Sequence, residues 1–321
     1  MNKPGLHLFS TSLLVSWSRL IRWENIIITA TTQWLFYQCL LRDTFADLHE
    51  TALFHDLFMG QLIAISAMVL AGGNIYNDIC DVRSDAYNKP NRLIIGRGIS
   101  ANSALRVWQW LNLLAIALSF HLAYQSRAWM LPALVLLSIS LLYLYSQKWQ
   151  YRPWLGTISI ATLCSLTILI IASGAWADLT FLKQTYPGVF LRTISYFLTF
   201  TLFAFLANFI REIAKDMEDV VGDRLVGSNN LATTWDTAHL KALVILPFAL
   251  VLGLLLLMYL NLDDYLSRNG FYYLLGLLFS TIAILLGFMK ANSTTQWKRI
   301  TLWLKLYMLQ GVLFIIFWQT S

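Results

Sequence analysis

The residues best suited to chemistry in this sequence are two short runs of carboxylates. Of the 17 Asp and Glu residues, eight fall in Asn74-Ile-Tyr-Asn77-Asp78-Ile-Cys-Asp81-Val-Arg-Ser-Asp85 and in Arg211-Glu212-Ile-Ala-Lys215-Asp216-Met-Glu218-Asp219-Val-Val-Gly222-Asp223. Positions 74, 78, 81 and 85 are spaced 4, 3, 4, and so are 212, 216, 219 and 223, with each pair separated by 138 residues. A fixed offset of this kind is an internal repeat. On a helix, 4-3-4 spacing points all four side chains the same way over about three turns. Carboxylates at a helix C-terminus oppose the macrodipole, at a cost of about 0.3–1 kcal/mol each where exposed. Like charges four residues apart add to the repulsion. A solvated loop gives no reason to repeat these costs twice at identical spacing, whereas a bound cation does.

Carboxylates with Asn74 or Asn77 as amide donors, and no His or Cys cluster beside them, form an all-oxygen set that selects a hard cation such as Mg²⁺. Mg²⁺ shares its shell readily with phosphate oxygens, and two facing stripes could clamp a diphosphate between ions that stabilise it as a leaving group. The surrounding basic residues, Arg83, Lys89, Arg92, Arg97, Lys148, Arg152, Arg211, Lys215 and Arg224, suit the remaining phosphate oxygens. Loss of diphosphate from an isoprenyl carbon leaves an allylic cation that aromatic faces stabilise, with Tyr76, Tyr143, Tyr145 and Tyr196 as candidates. Most Trp and Tyr residues instead belong to interface belts or packing. Gly72-Gly73 is expected to let its helix pack closely, and the five His residues are scattered.

The elements that must hold these groups are membrane helices. The 321 residues are 58% apolar and 12% charged, against roughly 25% charged in an average soluble domain, so lipid is the natural solvent. Stretches free of Asp, Glu, Lys and Arg run over 25–41, 57–77, 107–126, 128–147, 153–177, 193–210, 242–262, 269–289 and 306–321. About 20 apolar residues cross a hydrocarbon core, which predicts an all-α protein of about nine spans, the first and last extending past their bounding charges. Both acidic runs follow spans of the same direction, the second and the sixth. The expected architecture is a single membrane-embedded domain over 1–321: two four-helix halves around a central cavity, plus a ninth helix. Residues 1–22 hold Arg19 and Arg22 and no small-residue cleavage site, and are expected to form an interfacial lead-in helix.

Threaded through nine spans, 17 of the 23 basic residues fall on the side of the N-terminus, five lie opposite and Lys305 sits within the last span. This bias predicts a multi-pass protein of the cell (inner) membrane with its N-terminus and active site cytoplasmic. The net charge of +6 follows from the same loop bias and an anionic ligand, with no case for nucleic acid. Cys39, Cys80 and Cys164 give neither a disulfide framework nor metal-ligand spacing.

At this point the residues resemble the UbiA superfamily of intramembrane prenyltransferases. Asn77-Asp78-Ile-Cys-Asp81-Val-Arg-Ser-Asp85, followed by Asn88-Lys89-Pro90-Asn91-Arg92, is similar to the first motif of that family, and Asp216-Met-Glu-Asp219-Val-Val-Gly222-Asp223 to the second. The resemblance implies that these carboxylates bind the diphosphate through Mg²⁺ and that basic loop residues help hold it. Within the superfamily, the run Arg211 to Asp223, the Tyr145-Ser146 pair with Lys148 and Arg152-Pro153, and Leu155-Gly156 look most like the geranylgeranylglycerol-phosphate geranylgeranyltransferase branch. Arg22, Glu24 and Asn25 echo the opening of its first helix, where Asn25 would face the acceptor. The sequence departs from many relatives at Leu93-Ile-Ile-Gly96-Arg97-Gly98-Ile-Ser100 and at Thr157, changes that bear on the acceptor more than on the donor.

The function these readings predict is Mg²⁺-dependent transfer of a prenyl group from an isoprenyl diphosphate to a lipid-soluble acceptor, geranylgeranylglyceryl phosphate. The alternative acceptor is an aromatic quinone precursor. Asp78, Asp81, Asp85, Asp216, Asp219 and Asp223 are the expected catalytic and metal-binding carboxylates, with Asn77 as a further ligand. Asn25, Asn74, Asn77, Lys89, Arg92, Lys148, Arg152, Arg211 and Lys215 are expected to bind substrate, while Glu212 and Glu218 could instead pair with basic neighbours. Helix-end solvation and helix-tying hydrogen bonds are the plain alternatives for the Asp and Asn residues. A cation transporter is the non-enzyme alternative, but it calls for acids at the bilayer midplane, and here they lie at helix ends.

Overall fold

Leu-, Ile- and Val-rich runs must satisfy their own backbone groups in lipid, and they do so as helices. A computed structural model describes residues 6–82, 93–96, 98–225, 227–261 and 268–317. The helices are α1 (Leu6–Ile21), α2 (Trp23–Tyr37), α3 (Asp43–Asp47), α4 (Asp56–Cys80), α5 (Ala101–Ser126), α6 (Met130–Gln147) and α7 (Pro153–Gly174). They continue with α8 (Trp176–Thr185), α9 (Pro187–Leu225), α10 (Leu231–Thr234), α11 (Thr237–Asn261), α12 (Arg268–Lys290) and α13 (Thr294–Leu313). Local chemistry sets several starts. The Ser100 side chain accepts from the Ser103 amide at the head of α5, Pro153 opens α7 where its missing N–H costs nothing, and Ser293 and Gln296 form a capping box on α13.

Among the described residues, eight helices are long and apolar enough to cross a membrane. They correspond to the second to ninth charge-free stretches. The first stretch lies in α2, which passes through a π-helical turn at Gln38–Arg42 directly into α3, so its regular part is only 15 residues. The last span reaches back to Thr294 and so takes in Lys298, Arg299 and Lys305.

The repeat seen in the acids extends to whole helices. Adding 138 to the bounds of α5 gives 239–264, beside Thr237–Asn261 for α11, and the same shift carries α6 to 268–285, beside Arg268–Lys290 for α12. In the first half α4 packs on α2, α5 and α6, and in the second α9 packs on α7, α8 and α11, while α6 against α7 joins the halves. The ninth span, α13, lies on α9 and α12. Phe36 of α2 meets Phe200 of α9 edge-on at 4.8 Å between ring centroids, and Phe200 in turn faces Phe314 of the closing turn at 6.4 Å. At the other end, Leu20 of α1 is buried with Ile75, Ile95, Ile99 and Ala104, which lays α1 against the acid-bearing end of α4.

The two acidic runs are built differently. All of 212–223 lies within α9, whose 39 residues make a rod about 58 Å long. The first run does not stay on one helix as its spacing implied: α4 ends at Cys80, and Asp81 is its C-cap with φ −89° and ψ 2°. Asp85, together with Lys89 and Arg92, lies outside the described residues.

Candidate active site

One cavity of about 2000 Å³ brings the two runs together. From α4 it receives Asn74, Asn77 and Asp78, with Asp81 from the cap, and from α9 Arg211, Glu212, Lys215, Asp216, Asp219 and Asp223. Asn25 of α2 also lines it. Away from the acids the walls turn apolar, and Phe36 and Phe200 stand at that end.

Hydrogen bonds hold each carboxylate in a particular pose. Asp81 accepts from the Asn77 amide at 2.6 Å, from Gln150 Nε2 at 2.8 Å and from the Tyr151 hydroxyl at 3.3 Å. Burial and the neighbouring Asp81 charge push the Tyr151 hydroxyl up to about 12, so it remains a proton donor across the physiological range. Gln150 and Tyr151 sit on a 3₁₀ turn, Trp149–Tyr151, that abuts the start of α7. A Cβ at Gly156 would stand 3.0 Å from the Trp149 carbonyl oxygen, so only glycine lets this turn approach α7 closely. Asp223 accepts from the Asn230 side-chain amide at 2.6 Å, while Asn230 Oδ1 caps α10 by accepting from the Thr233 backbone N–H.

Asp78 pairs with Arg22 at 2.9 Å. Arg22 occupies the left-handed region, φ 55° and ψ 57°, at the break between α1 and α2, a conformation uncommon for a non-glycine residue and a sign of local constraint. Glu212 is buried and bound by Arg211 at 2.7 Å and Lys215 at 3.5 Å, which makes it the carboxylate that fixes the basic pair. The Asn74 amide donates to the Ile21 carbonyl at 2.9 Å and so ties α4 to the end of α1. Asp216 has no hydrogen-bond or ion-pair partner among the described residues, although it faces the cavity from a half-buried position.

Most of the residues expected from sequence meet here. Lys148 and Arg152 do not: both are exposed and absent from the cavity lining, where Gln150 and Tyr151 stand instead. Neutral side chains in a loop carry no charge signal, which is why Gln150, Tyr151 and Asn230 were illegible beforehand.

The donor set is all oxygen, which suits a hard cation such as Mg²⁺, and among the described residues it includes Asp216, which has no hydrogen-bond or ion-pair partner there. Among those residues no three of His, Cys, Asp and Glu stand close enough together to hold a metal ion by themselves.

Apolar spans in two repeated halves, delivering matching acidic runs to one polar-ended cavity, define a multi-pass helical membrane protein. The chain belongs to the UbiA prenyltransferase family, whose model matches residues 48–309. It is similar to the digeranylgeranylglyceryl phosphate synthases of Thermococcus sibiricus (31% identical over 163 residues, 51% of each chain) and Methanopyrus kandleri (33% over 177 residues, 54% of this chain and 58% of that one). The chain thus spans about half the length of these two curated relatives. Among solved structures, a digeranylgeranylglyceryl phosphate synthase superposes with a TM-score of 0.69 at 22% identity, covering 95% of this chain and 98% of that one. A UbiA homolog from Archaeoglobus fulgidus bound to GPP and Mg²⁺ gives 0.57 at 13%, covering 94% and 99%. At these identities the two structures show a shared fold.

Proposed function

We propose that this chain transfers a prenyl group from an isoprenyl diphosphate to geranylgeranylglyceryl phosphate, forming an ether lipid. The observation that carries the reading is the convergence of the two acidic runs, 138 residues apart in sequence, on one cavity whose far end is apolar. The names of the curated relatives support the acceptor, and the Mg²⁺ and GPP bound to the Archaeoglobus homolog support the metal and the class of donor.

In this reading Asp78, Asp81, Asp216, Asp219 and Asp223, with Asn77, hold Mg²⁺, and Asp85 joins them from outside the described residues. Bound Mg²⁺ supplies the Lewis acidity that stabilises the departing diphosphate. Arg211 and Lys215, aimed by Glu212, bind phosphate oxygens, and Lys89 and Arg92 add to them. The apolar walls leading to Phe36 and Phe200 take the prenyl tail and keep water from the allylic carbon as its bond to the diphosphate oxygen breaks. The acceptor hydroxyl oxygen, placed near Asn25, then forms the new carbon–oxygen bond and gives up its proton to the departed diphosphate. The excess of basic residues beside the acidic runs supports a cytoplasmic site in the cell (inner) membrane.

The test is a product assay on purified protein with radiolabelled geranylgeranyl diphosphate and Mg²⁺, offering geranylgeranylglyceryl phosphate or an aromatic acid. A labelled diether is the expected product. A labelled aromatic would move the chain to quinone-precursor prenylation, and bound donor without product from either acceptor would overturn the acceptor assignment.

A further inference from the structure

Lys305 is a charge in the last span that neither the metal nor the diphosphate reading uses. It lines the cavity from α13, exposed, with no ion-pair partner among the described residues. Its neighbours along the same helical stripe, Leu302, Leu306 and Leu309, also line the cavity and yet are 55%, 56% and 40% exposed. A wall that is both lining and exposed is the rim of an opening. Glu24 and Ile28 of α2 line the same cavity and are likewise exposed. The side of α13 turned away from the cavity is locked: Leu304 and Tyr307 are buried, and the Tyr307 hydroxyl shares a 2.7 Å hydrogen bond with Thr281.

The packing of α13 on α9 gives the depth of Lys305. Phe200 faces Phe314, and Phe203 faces Tyr307 and packs on Gly311, so the two helices run antiparallel. Lys305, six residues before Gly311, therefore stands about 9 Å nearer the acid-bearing end, roughly level with Phe209. From there Asp216 is seven residues further along α9, about 10 Å in axial distance. An ammonium group in an apolar wall at this depth costs free energy unless an anion meets it, and such residues mark ligand paths.

We infer that Lys305 is the positioning residue for the phosphate headgroup of the acceptor lipid, whose prenyl chain lies along Leu302, Leu306 and Leu309. The inference rests on the acceptor reading above. The donor's diphosphate is met by the two acidic runs and the Arg211–Lys215 pair, whereas a phosphate monoester on the second lipid needs its own cation on the membrane side of that site. The free hydroxyl and the phosphate of such an acceptor sit on neighbouring glycerol carbons, so a cation that fixes the phosphate also aims the nucleophile. A neutral acceptor gives this lysine nothing to bind.

The test measures binding of geranylgeranylglyceryl phosphate to the purified full chain without donor, and of geranylgeranylglycerol, its dephosphorylated form. Lys305→Gln and Lys305→Met are expected to weaken binding of the phosphate lipid about tenfold or more, Lys305→Arg to restore it to within about threefold, and the dephosphorylated lipid to bind all variants alike. In turnover, the acceptor KM should rise for Lys305→Gln while the donor KM holds. Wild-type binding of the phosphate lipid by Lys305→Gln, or a loss shared equally with the dephosphorylated lipid, would overturn the inference. Protein that prenylates an aromatic acceptor but does not bind the phosphate lipid would also overturn it, leaving prenyl transfer itself standing. Failure of all prenyl transfer despite Lys305-dependent binding would instead sink the proposed reaction.

Discussion

Asp81 and Asp219 reach the same cavity from opposite halves of the repeat, and in the proposed reaction both are metal ligands. Asp81 is oriented by three donors, so replacing it removes the group that Asn77, Gln150 and Tyr151 hold in place. Asp81→Ala and Asp219→Ala are each expected to lower turnover by about a thousandfold or more, the scale of losing a group needed to stabilise a leaving diphosphate. Both sit at a wet helix end, so the variants should still run as folded protein in detergent, which size-exclusion chromatography and thermal unfolding would check. Near-normal turnover in either would sink the metal-clamp assignment. At this scale the charged residues were legible from type and spacing, while their neutral supports were not. Arg22 was noted as an echo of a relative's first helix, yet its pairing with Asp78, 56 residues away, depends on the α1–α2 break.

The elements set the aim of these groups. The turn Trp149–Tyr151 presents Gln150 and Tyr151 to Asp81 only because Gly156 allows the chain to double back against α7. Gly156→Ala would press a methyl group on the Trp149 carbonyl and push the turn away. The cost should be about 1–3 kcal/mol in stability, typical of overpacking, together with a several-fold rise in the donor KM. A thermal melt and a donor titration would read these separately, and an unchanged donor KM would mean that the turn does not orient Asp81. The periodicity of charge-free stretches forecast the spans well because lipid allows few alternatives to a helix. It could not forecast that α4 stops at Cys80 while α9 runs on to Leu225, since both runs carry the same spacing. Beyond the end of α4 the chain packs Ile94, Ile95 and Ile99 with Leu20 of α1, contacts between residues far apart in sequence.

As a whole molecule, the two halves meet through α6 and α7 and across a cavity in which the carboxylates of both runs stand beside basic residues. In the proposed reaction a cation joins the carboxylates and a polyanion joins the basic residues. Donor and Mg²⁺ are therefore expected to stabilise the protein together more than either does alone, by about 3 kcal/mol when both are near a hundredfold above their dissociation constants. Thermal unfolding with each component, then both, would measure this, and strictly additive shifts would argue against a shared site. Chelation should stop turnover and restored Mg²⁺ should recover it, with activity surviving thorough chelation pointing to another chemistry.

The sequence by itself determined that the chain is helical and membrane-embedded, that it repeats at 138 residues, and which carboxylates form the matched pair of runs. These follow from composition and period, which act locally and leave a mark in the order of residues. Only the tertiary structure decided that the two runs share one cavity, that Gln150 and Tyr151 line it where Lys148 and Arg152 were expected, that Asn230 joins them, and that Lys305 lines it while remaining exposed. The reason is physical: a side chain's direction is set by where a helix ends, how deeply its neighbour packs and which face is left over. Those are sums over contacts between residues far apart in sequence, and no local pattern records them.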